Sequence, residues 1–215
     1  MNKEYNREIT EIYNSIKYEI VSRISSFKDL WRLSGNDEIF CELAFCIFTP
    51  QSKAKSCYEA VNRLKEKDLL ACGRCEQISE VINIVRFRNN KARYLVEARE
   101  KFFTGQHNFK KTIDDIVNVS EKRDWLVDNI KGIGYKEASH FLRNTGFGDD
   151  IAILDRHILK NLVFAGVIKT IPKTLTRTIY LQIEDDMRQY SDKINIPMGH
   201  LDFVLWYKEA GEVFK

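Results

Sequence analysis

The chain has 215 residues, of which 44% are hydrophobic, and it contains only 10 glycines and 3 prolines. This composition suits one compact domain or two closely packed lobes, and it excludes a low-complexity or disordered chain. The formal net charge is only +3, so any binding of nucleic acid must depend on a local basic patch. No run of about 20 apolar residues predicts a membrane span, so a membrane partner is not expected.

Apolar residues recur at helical spacing through most of the chain, and the alternation typical of strands is hard to find. The pattern predicts helices over Tyr13 to Phe27, Phe40 to Phe48, Ala54 to Leu64, Ala92 to Phe103, Leu126 to Ile130, Glu137 to Asn144, Ile158 to Phe164, Tyr180 to Tyr190 and His200 to Tyr207. The sequence therefore predicts an all-α fold.

A Gly-x-Gly turn, Lys131-Gly132-Ile133-Gly134, separates two of these helical segments. Glycine suits such a turn because it adopts positive φ and lets another backbone approach closely. The first turn of the following helix directs unpaired N–H groups and a positive dipole end outward, and a phosphate is a natural ligand for both. Glycine pairs also end ordinary helices, so the turn alone leaves both interpretations open.

An acidic residue follows nineteen positions beyond Lys136. Asp155 comes directly after the apolar run Ile151 to Leu154 and before a helical pattern that starts at Arg156. An aspartate in this position can cap the helix through one carboxylate oxygen. Its other oxygen can face a cleft, so the two roles are compatible.

These segments resemble the helix-hairpin-helix, Gly-Pro-Asp superfamily of DNA base-excision glycosylases, and within it the archaeal-type, or type 2, 8-oxoguanine DNA glycosylase/AP lyase. The resemblance extends to Phe40-Cys41-Glu42-Leu43-Ala44-Phe45-Cys46, Arg86-Phe87 with Lys91-Ala92, Ile171-Pro172-Lys173-Thr174-Leu175, and Trp206-Tyr207 to Lys215. The superfamily's Gly-Pro is absent before Asp155, a variation that type 2 enzymes share. We expect an N- plus C-terminal lobe of roughly 1–50 and 170–215, a central lobe of roughly 51–169, and an active-site cleft between them.

The resemblance implies a bifunctional repair enzyme that removes 8-oxoguanine from damaged double-stranded DNA and cuts the strand at the abasic site. Lys136 and Asp155 match the catalytic positions. An amine can capture C1′ as a covalent intermediate, and a carboxylate stabilises the positive charge that develops on the sugar. We expect the helix start, burial against Ile133 and Ala138, and Asp155 as proton acceptor to provide a free amine. β-Elimination then follows without a metal or another cofactor.

Recognition requires residues that hold a base flipped out of the duplex. The resemblance implies that Trp206 stacks on the purine and that the carboxylate of the closing Lys215 helps read the oxidised base. Arg86 and Phe87 are expected to hold the orphaned cytosine and fill the vacated stack, and Gln51 is a second candidate for insertion. A core aromatic, a polar loop and an ordinary helix start are the corresponding structural alternatives.

The hairpin is expected to bind the DNA backbone through Lys131, Gly132, Ile133 and Gly134, with His140 as a further contact. His157 is kept outside the site, because a lone histidine on a mixed helix face is more often packed or capping. The basic patch is predicted to consist of Lys53, Lys55, Arg86, Arg88, Lys91, Arg93, Lys131, Lys136 and Arg143. One active site spans a lesion, so we expect a monomer.

The five cysteines are odd in number and no signal peptide precedes them, which favours free thiols in a cytoplasmic, DNA-associated enzyme. Cys72 and Cys75 form a CxxC pair, but a second pair at metal-ligand spacing is missing. The iron–sulfur loop of some relatives would need four cysteines near the end of the chain. We therefore expect no metal.

Two other functions remain open on the sequence. A non-catalytic helix-hairpin-helix module would use the same turn to bind DNA, but it would not need Lys136 and Asp155 together. A glycosylase for other oxidised bases, such as the oxidised pyrimidines that endonuclease III-like enzymes remove, would keep the catalytic pair. Trp206 near the chain end and the missing cysteine cluster argue against the latter.

Overall fold

A computed structural model describes residues 2–104 and 108–215 of the chain. Within these residues the chain forms helices and loops and no strand, which confirms the predicted all-α fold. The helices are α1 (Lys3–Leu33), α2 (Asn36–Phe48), α3 (Ala54–Glu66), α4 (Leu69–Cys72), α5 (Cys75–Val81), α6 (Arg88–Phe102), α7 (Phe109–Asp115), α8 (Val119–Asn129), α9 (Tyr135–Asn144), α10 (Arg156–Ala165), α11 (Arg177–Ile194) and α12 (Met198–Ala210).

All nine predicted segments lie in these helices, except that Phe103 and Ile130 are the C-caps of α6 and α8. Helices α4, α5 and α7 have no counterpart in the prediction, because they contain only 4, 7 and 7 residues, too few to show a periodic pattern. None of the helices in the described ranges combines the length and apolar character that a membrane crossing needs.

Buried apolar side chains form two clusters. The first draws on α2, α3, α6, α8 and α9, and the second on α1, α10, α11 and α12. The predicted boundaries assign α2 to the N- plus C-terminal lobe and α10 to the central lobe. In the structure α2 belongs to the first cluster, with α8 and α9, and α10 belongs to the second, with α1 and α12. Periodicity shows which face of a helix is apolar, but it does not show which neighbour covers that face.

The segment that leads to Asp155 crosses from one cluster to the other, since Ile151 belongs to the first and Ala152 to the second. Helix α9, which carries Lys136, contributes to the first cluster, and α12, which carries Trp206, contributes to the second. The residues that the sequence analysis assigns to the site therefore come from both cores.

A buried polar network holds this crossing segment. Arg123 on α8 donates two hydrogen bonds to Glu184 on α11, of 2.7 and 2.8 Å. Glu184 also accepts the N–H of Ala152 at 2.8 Å, while the Tyr180 hydroxyl donates to the Ala152 carbonyl at 2.6 Å and accepts the N–H of Leu154 at 3.2 Å. These side chains provide hydrogen-bond partners for an extended backbone segment that pairs with no strand in the described ranges. They thereby hold the segment that precedes Asp155 in place.

Candidate active site

The Gly-x-Gly turn joins α8 to α9 as predicted. Gly132 has a φ of 85°, and a Cβ at this position would lie 2.5 Å from the Tyr94 ring. Both the conformation and the contact therefore require glycine. Gly132 and Gly134 are exposed, whereas Ile133 is buried and anchors the turn in the first cluster.

Helix α9 begins at an exposed N-cap. Gly134 is the N-cap, and its N–H donates to Glu137 Oε2 at 3.2 Å. Lys131 extends from the turn and pairs with Glu97 at 2.9 Å, both side chains being exposed by more than a third. An exposed pair of this kind contributes little to stability, so Lys131 can exchange Glu97 for a phosphate.

Lys136 lies in the first turn of α9, with 23% of its side chain exposed. Its Nζ contacts Glu137 Oε1 at 3.1 Å and Thr49 Oγ1 at 3.4 Å. Asp155, the expected proton acceptor, is not among its hydrogen-bond partners in the described residues. The carboxylate that touches the amine belongs to the next residue along the chain.

Asp155 is the N-cap of α10. Its Oδ1 accepts hydrogen bonds from the N–H groups of His157 and Ile158, each at 2.8 Å. The residue also lines a cavity that Lys136 lines as well. Asp155 therefore caps α10 and lines a cleft at the same time, as predicted from the sequence.

This cavity has a volume of about 750 Å³ and lies where the two hydrophobic clusters meet. Six residues of the predicted site line it: Gln51, Lys136, His140, Asp155, Trp206 and Lys215. His157, which the sequence analysis keeps outside the site, lines it as well. The segment 131–134 and the Arg86–Phe87 pair lie outside the cavity lining.

Three lining residues carry buried polar atoms that have no hydrogen-bond partner among the described residues. These atoms are His140 Nε2, Asp202 Oδ1 and Trp206 Nε1. Buried polar atoms in folded proteins are almost always paired, so three such atoms around one cavity indicate a site for a polar ligand. The indole N–H is a donor, the carboxylate oxygen is an acceptor, and the imidazole nitrogen can serve as either.

Asp202 lies opposite Arg143, which donates one hydrogen bond of 2.5 Å to its Oδ2. Burial raises the pKa of Asp202 to about 6, although the Arg143 charge opposes the shift. Burial also lowers the pKa of Arg143, against the influence of Asp202. Desolvation thus outweighs the attraction between the two charges in both partners.

Two members of the predicted basic patch are buried, which corrects that part of the prediction. Arg143 is 7% exposed and bound to Asp202, and Lys91 is 3% exposed and bound to main-chain carbonyls. Neither can contact a phosphate on the surface. Counting charges along a sequence does not show which side chains turn inward.

His140 lies in the cavity and not on the outer surface of the hairpin. Burial, together with the charges of Arg143 and Lys136, lowers the pKa of His140 well below its ordinary value. Its ring meets Phe45 edge-on, with centroids 5.2 Å apart. A neutral imidazole in this position can form hydrogen bonds to a ligand in the cavity but supplies no positive charge for a phosphate.

Lys215 and Trp206 form another part of the lining. The Nζ of Lys215 forms an ion pair with the buried carboxylate of Glu42 and lies 5.0 Å from the centre of the Tyr58 ring. The indole of Trp206 meets the ring of His157 edge-on, with centroids 5.4 Å apart. Glu42 therefore anchors the end of the chain beside the cavity.

Gln51 and Phe87 are exposed and share an unusual backbone conformation, with φ values of 53° and 58°. Residues other than glycine rarely adopt this left-handed region, and functional sites are where they tend to occur. Ser52 Oγ accepts the N–H of Arg86 at 3.0 Å, so the two turns that carry these residues are in contact.

A family model for 8-oxoguanine DNA glycosylase matches residues 20–196 of the chain. The chain belongs to this family. An 8-oxoguanine DNA glycosylase/AP lyase of Fusobacterium nucleatum is 52% identical, over 99% of this chain and 98% of that protein. One of Methanocaldococcus jannaschii is 41% identical, over 97% and 98%. The resemblance stated from the sequence is thereby confirmed.

Solved structures of the family superpose on nearly the whole chain. The 8-oxoguanine DNA glycosylase of Thermotoga maritima matches with a TM-score of 0.89 and 32% identity, over 99% of each chain. The 8-oxoguanine glycosylase/lyase of M. jannaschii, solved in complex with a 15mer DNA containing 8-oxoguanine, matches with a TM-score of 0.86 and 40% identity, over 98% and 99%.

Three residues of the candidate active site are missing from the sequence prediction. Thr49 and Glu137 contact the amine of Lys136, and Asp202 faces the cavity. Only Glu137 has a local signal, because a glutamate three residues after an N-cap is typical of a capping box. The other two are far from Lys136 in sequence, and packing alone brings Thr49 to its amine and Asp202 to the same cavity.

The five cysteines are all free thiols, and Cys57 and Cys46 are buried. Among the described residues, no three histidine, cysteine or acidic side chains are grouped as they would be around a metal ion.

Proposed function

We propose that this chain removes 8-oxoguanine from duplex DNA and then cleaves the strand at the abasic site, with Lys136 as the nucleophile. The observation that carries the proposal is that one cavity is lined by Lys136, Asp155 and three residues whose buried polar atoms have no partner in the described ranges. Relatives and solved neighbours that bear the same activity in their names cover almost the whole chain. A DNA-binding module without catalysis would not need this cavity.

Base recognition is proposed to take place inside the cavity, which lies within the usual size range of small-ligand sites. Trp206 offers an aromatic face and an indole N–H, and Asp202 Oδ1 offers an acceptor for an N–H of the base. Lys215 lines the same space and is held by Glu42. His140 adds a neutral nitrogen, so the cavity can match both donors and acceptors of a purine.

Excision is proposed to begin with the free amine of Lys136. Its Nζ attacks C1′ while the bond from C1′ to the base nitrogen breaks, and the base leaves with that electron pair and is protonated. Glu137 Oε1 lies 3.1 Å from Nζ, which supports Glu137 as the group that takes the ammonium proton. Asp155 stabilises the positive charge on the sugar through the oxygen that does not cap α10.

Strand cleavage follows from the covalent intermediate. The nitrogen lone pair expels O4′ from C1′, O4′ takes a proton as the sugar ring opens, and the resulting Schiff base between Nζ and C1′ makes the C2′ proton acidic. Removal of that proton forms the C2′–C3′ double bond and expels the 3′-phosphate. Hydrolysis of the Schiff base then restores the amine of Lys136.

The DNA is proposed to be held at two surfaces outside the cavity. The exposed backbone of Gly132 and Gly134, with Lys131, suits a phosphate at the start of α9. Phe87, 56% exposed in a left-handed turn, suits insertion into the stack beside Arg86. We propose a two-lobed monomer that acts on DNA in the cytoplasm, since Lys136 and Asp155 of one chain line the same cavity and the cysteines are free thiols.

Borohydride trapping tests the nucleophile. The protein is incubated with a duplex that holds one 8-oxoguanine opposite cytosine, and sodium borohydride reduces any Schiff base to a stable adduct. Wild type should be trapped, Lys136→Gln should not, and Lys169→Gln, which changes an exposed lysine outside the site, should be trapped like wild type. A duplex with a preformed abasic site separates the lyase step from base removal.

The outcomes distinguish the candidate functions. Adduct formation by Lys136→Gln at the wild-type level would reject Lys136 as the nucleophile. Trapping on the abasic duplex without trapping on the 8-oxoguanine duplex would retain the lyase and reject this base as substrate. Binding without any adduct on either duplex would favour a non-catalytic module.

A further inference from the structure

Lys91 lies on the first turn of α6, outside the catalytic cavity, and is 3% exposed. Its ammonium donates to the carbonyls of Phe48 at 2.6 Å and Pro50 at 2.8 Å, and to Ser52 Oγ at 2.9 Å. A lysine has three N–H donors, and all three are used here. The acceptors come from one stretch of chain, the connection between α2 and α3.

This connection supplies four residues to the cavity lining, namely Thr49, Gln51, Ser52 and Lys53. Thr49 contacts the amine of Lys136, Gln51 has a left-handed backbone, and Ser52 follows it. A glutamine in this conformation needs surrounding contacts to hold it there. The bonds from Lys91 to the carbonyl before Gln51 and to the hydroxyl after it provide such contacts.

Lys91 also holds the turn at the start of its own helix. Its backbone N–H donates to the carbonyl of Phe87 at 3.0 Å, and Ser52 Oγ, which it binds, accepts the N–H of Arg86 at 3.0 Å. The second left-handed residue, Phe87, is therefore tied to the same lysine as the first. One buried side chain joins a cavity loop to a surface turn.

We propose that Lys91 is a positioning residue that keeps the Gln51 loop and the Arg86–Phe87 turn in a fixed relation, so that insertion into the duplex and filling of the cavity occur together. The inference rests on the proposed function, since both segments act only on DNA. Lys91 itself touches neither the DNA nor the reacting atoms. Its effect is to preorganise the groups that do.

Burial lowers the pKa of Lys91 to about 8, with a smaller contribution from the charge of Lys136. Cys57 on α3 and Glu137 on α9 act in the opposite direction. The ammonium is therefore lost as pH rises through about 8, and with it one donor and the positive charge that strengthens the other two bonds. A neutral amine should hold the two segments less firmly.

Lys91→Met is the test variant, and Lys122→Met is its matched control. Lys122 is also buried, at 5% exposure, and binds a carbonyl, but that carbonyl belongs to Ile113 on α7. The readouts are circular dichroism, affinity for a duplex with a tetrahydrofuran abasic analogue, and fluorescence of a 2-aminopurine placed beside the analogue. The analogue cannot be cleaved, so binding and unstacking are measured without the proposed chemistry.

We expect Lys91→Met to weaken binding by about tenfold or more relative to Lys122→Met and to reduce the 2-aminopurine signal at saturation. The advantage of wild type over Lys91→Met should shrink between about pH 7 and about pH 9, because wild-type Lys91 loses its charge over that range. A purely structural role would lower melting temperature without producing this pH dependence.

Ser52→Ala keeps the inference testable if Lys91→Met does not fold. This change removes only the hydroxyl shared by Lys91 and Arg86, and it should weaken binding and unstacking in the same direction by about threefold. Equal binding by wild type, Ser52→Ala and Lys91→Met would overturn the inference. The variants could bind and unstack the duplex less well than wild type while wild type itself fails to remove 8-oxoguanine. In that case Lys91 keeps its positioning role and only the proposed substrate is rejected.

Discussion

Two buried arginine–carboxylate pairs lie within the residues that the structure describes, and they are built differently. Arg123 donates two hydrogen bonds to Glu184, whereas Arg143 donates a single bond to Asp202. Glu184 also accepts the N–H of Ala152, so both of its oxygens are engaged. Asp202 retains one oxygen without a partner in the described part of the chain.

The pKa values of the charged groups differ between the two pairs in the same way. Burial opposes the Arg123 charge, but the hydrogen bonds and charge of Glu184 outweigh it and raise the pKa of Arg123. Burial prevails at Arg143, whose pKa is lowered, and it raises the pKa of Asp202. In the completed pair both carboxylate oxygens are engaged, although Arg123 Nε has no partner among the described residues. The completed pair stabilises the fold, and the incomplete pair keeps hydrogen-bonding capacity for a ligand in the cavity.

Removing the completed pair's carboxylate should have the largest effect. Glu184→Leu leaves the Arg123 guanidinium buried without a counter-charge, and we expect a loss of about 3–5 kcal/mol in the free energy of unfolding. Urea unfolding followed by circular dichroism measures this loss. The double variant Arg123→Met/Glu184→Leu should recover much of it, because no buried charge is left unpaired.

An exposed pair gives the reference for that measurement. Asp150 and Arg188 are 2.8 Å apart with side chains 64% and 33% exposed, so Asp150→Asn should cost less than about 1 kcal/mol. Similar losses for Glu184→Leu and Asp150→Asn would show that the buried network is not the element that stabilises the fold.

Changing the incomplete pair should affect base removal more than folding. Asp202→Asn replaces an acceptor oxygen in the cavity, and we expect single-turnover excision of 8-oxoguanine to slow by about 10- to 100-fold, or about 1.4–2.7 kcal/mol in the barrier. Cleavage of a preformed abasic site, which requires no base recognition, serves as the internal control. Equal slowing of both reactions would assign Asp202 to the chemistry of Lys136 instead of recognition.

The stability of the fold should also depend on the protonation of Asp202. Its folded pKa of about 6 lies above the ordinary value of 3.8, so the folded state binds more protons than the unfolded state between these values. The stability of wild type relative to Asp202→Asn should therefore fall as pH rises from about 4 to about 6, by about 1–3 kcal/mol. Unfolding of both proteins at these pH values tests the sign, and a rise would contradict it.

Local sequence signals account for the parts of the site that were predicted. Gly132 marks a positive φ, Asp155 is a helix cap, and Lys136 follows the turn at a fixed distance. Each of these features depends on residues within a few positions of one another. The resemblance to a known family adds Trp206 and Lys215, which line the cavity, although no local pattern requires that placement.

Long-range contacts account for the parts that were missed or corrected. Thr49 is 87 positions from Lys136, and Asp202 is 59 positions from Arg143. The choice of Glu137 over Asp155 as the partner of the amine depends on side-chain directions within α9 and α10. These relations have no periodic signature in the chain.

The sequence by itself determined the nine longer helices, the glycine turn, the helix cap and the family, because these depend on local backbone preferences and on short motifs. The tertiary structure alone decided which charges are buried, which carboxylate touches Lys136, and that Lys91 joins two distant turns. The physical reason is desolvation. A side chain's charge and hydrogen-bonding capacity depend on which distant residues exclude water from it, and only packing sets that.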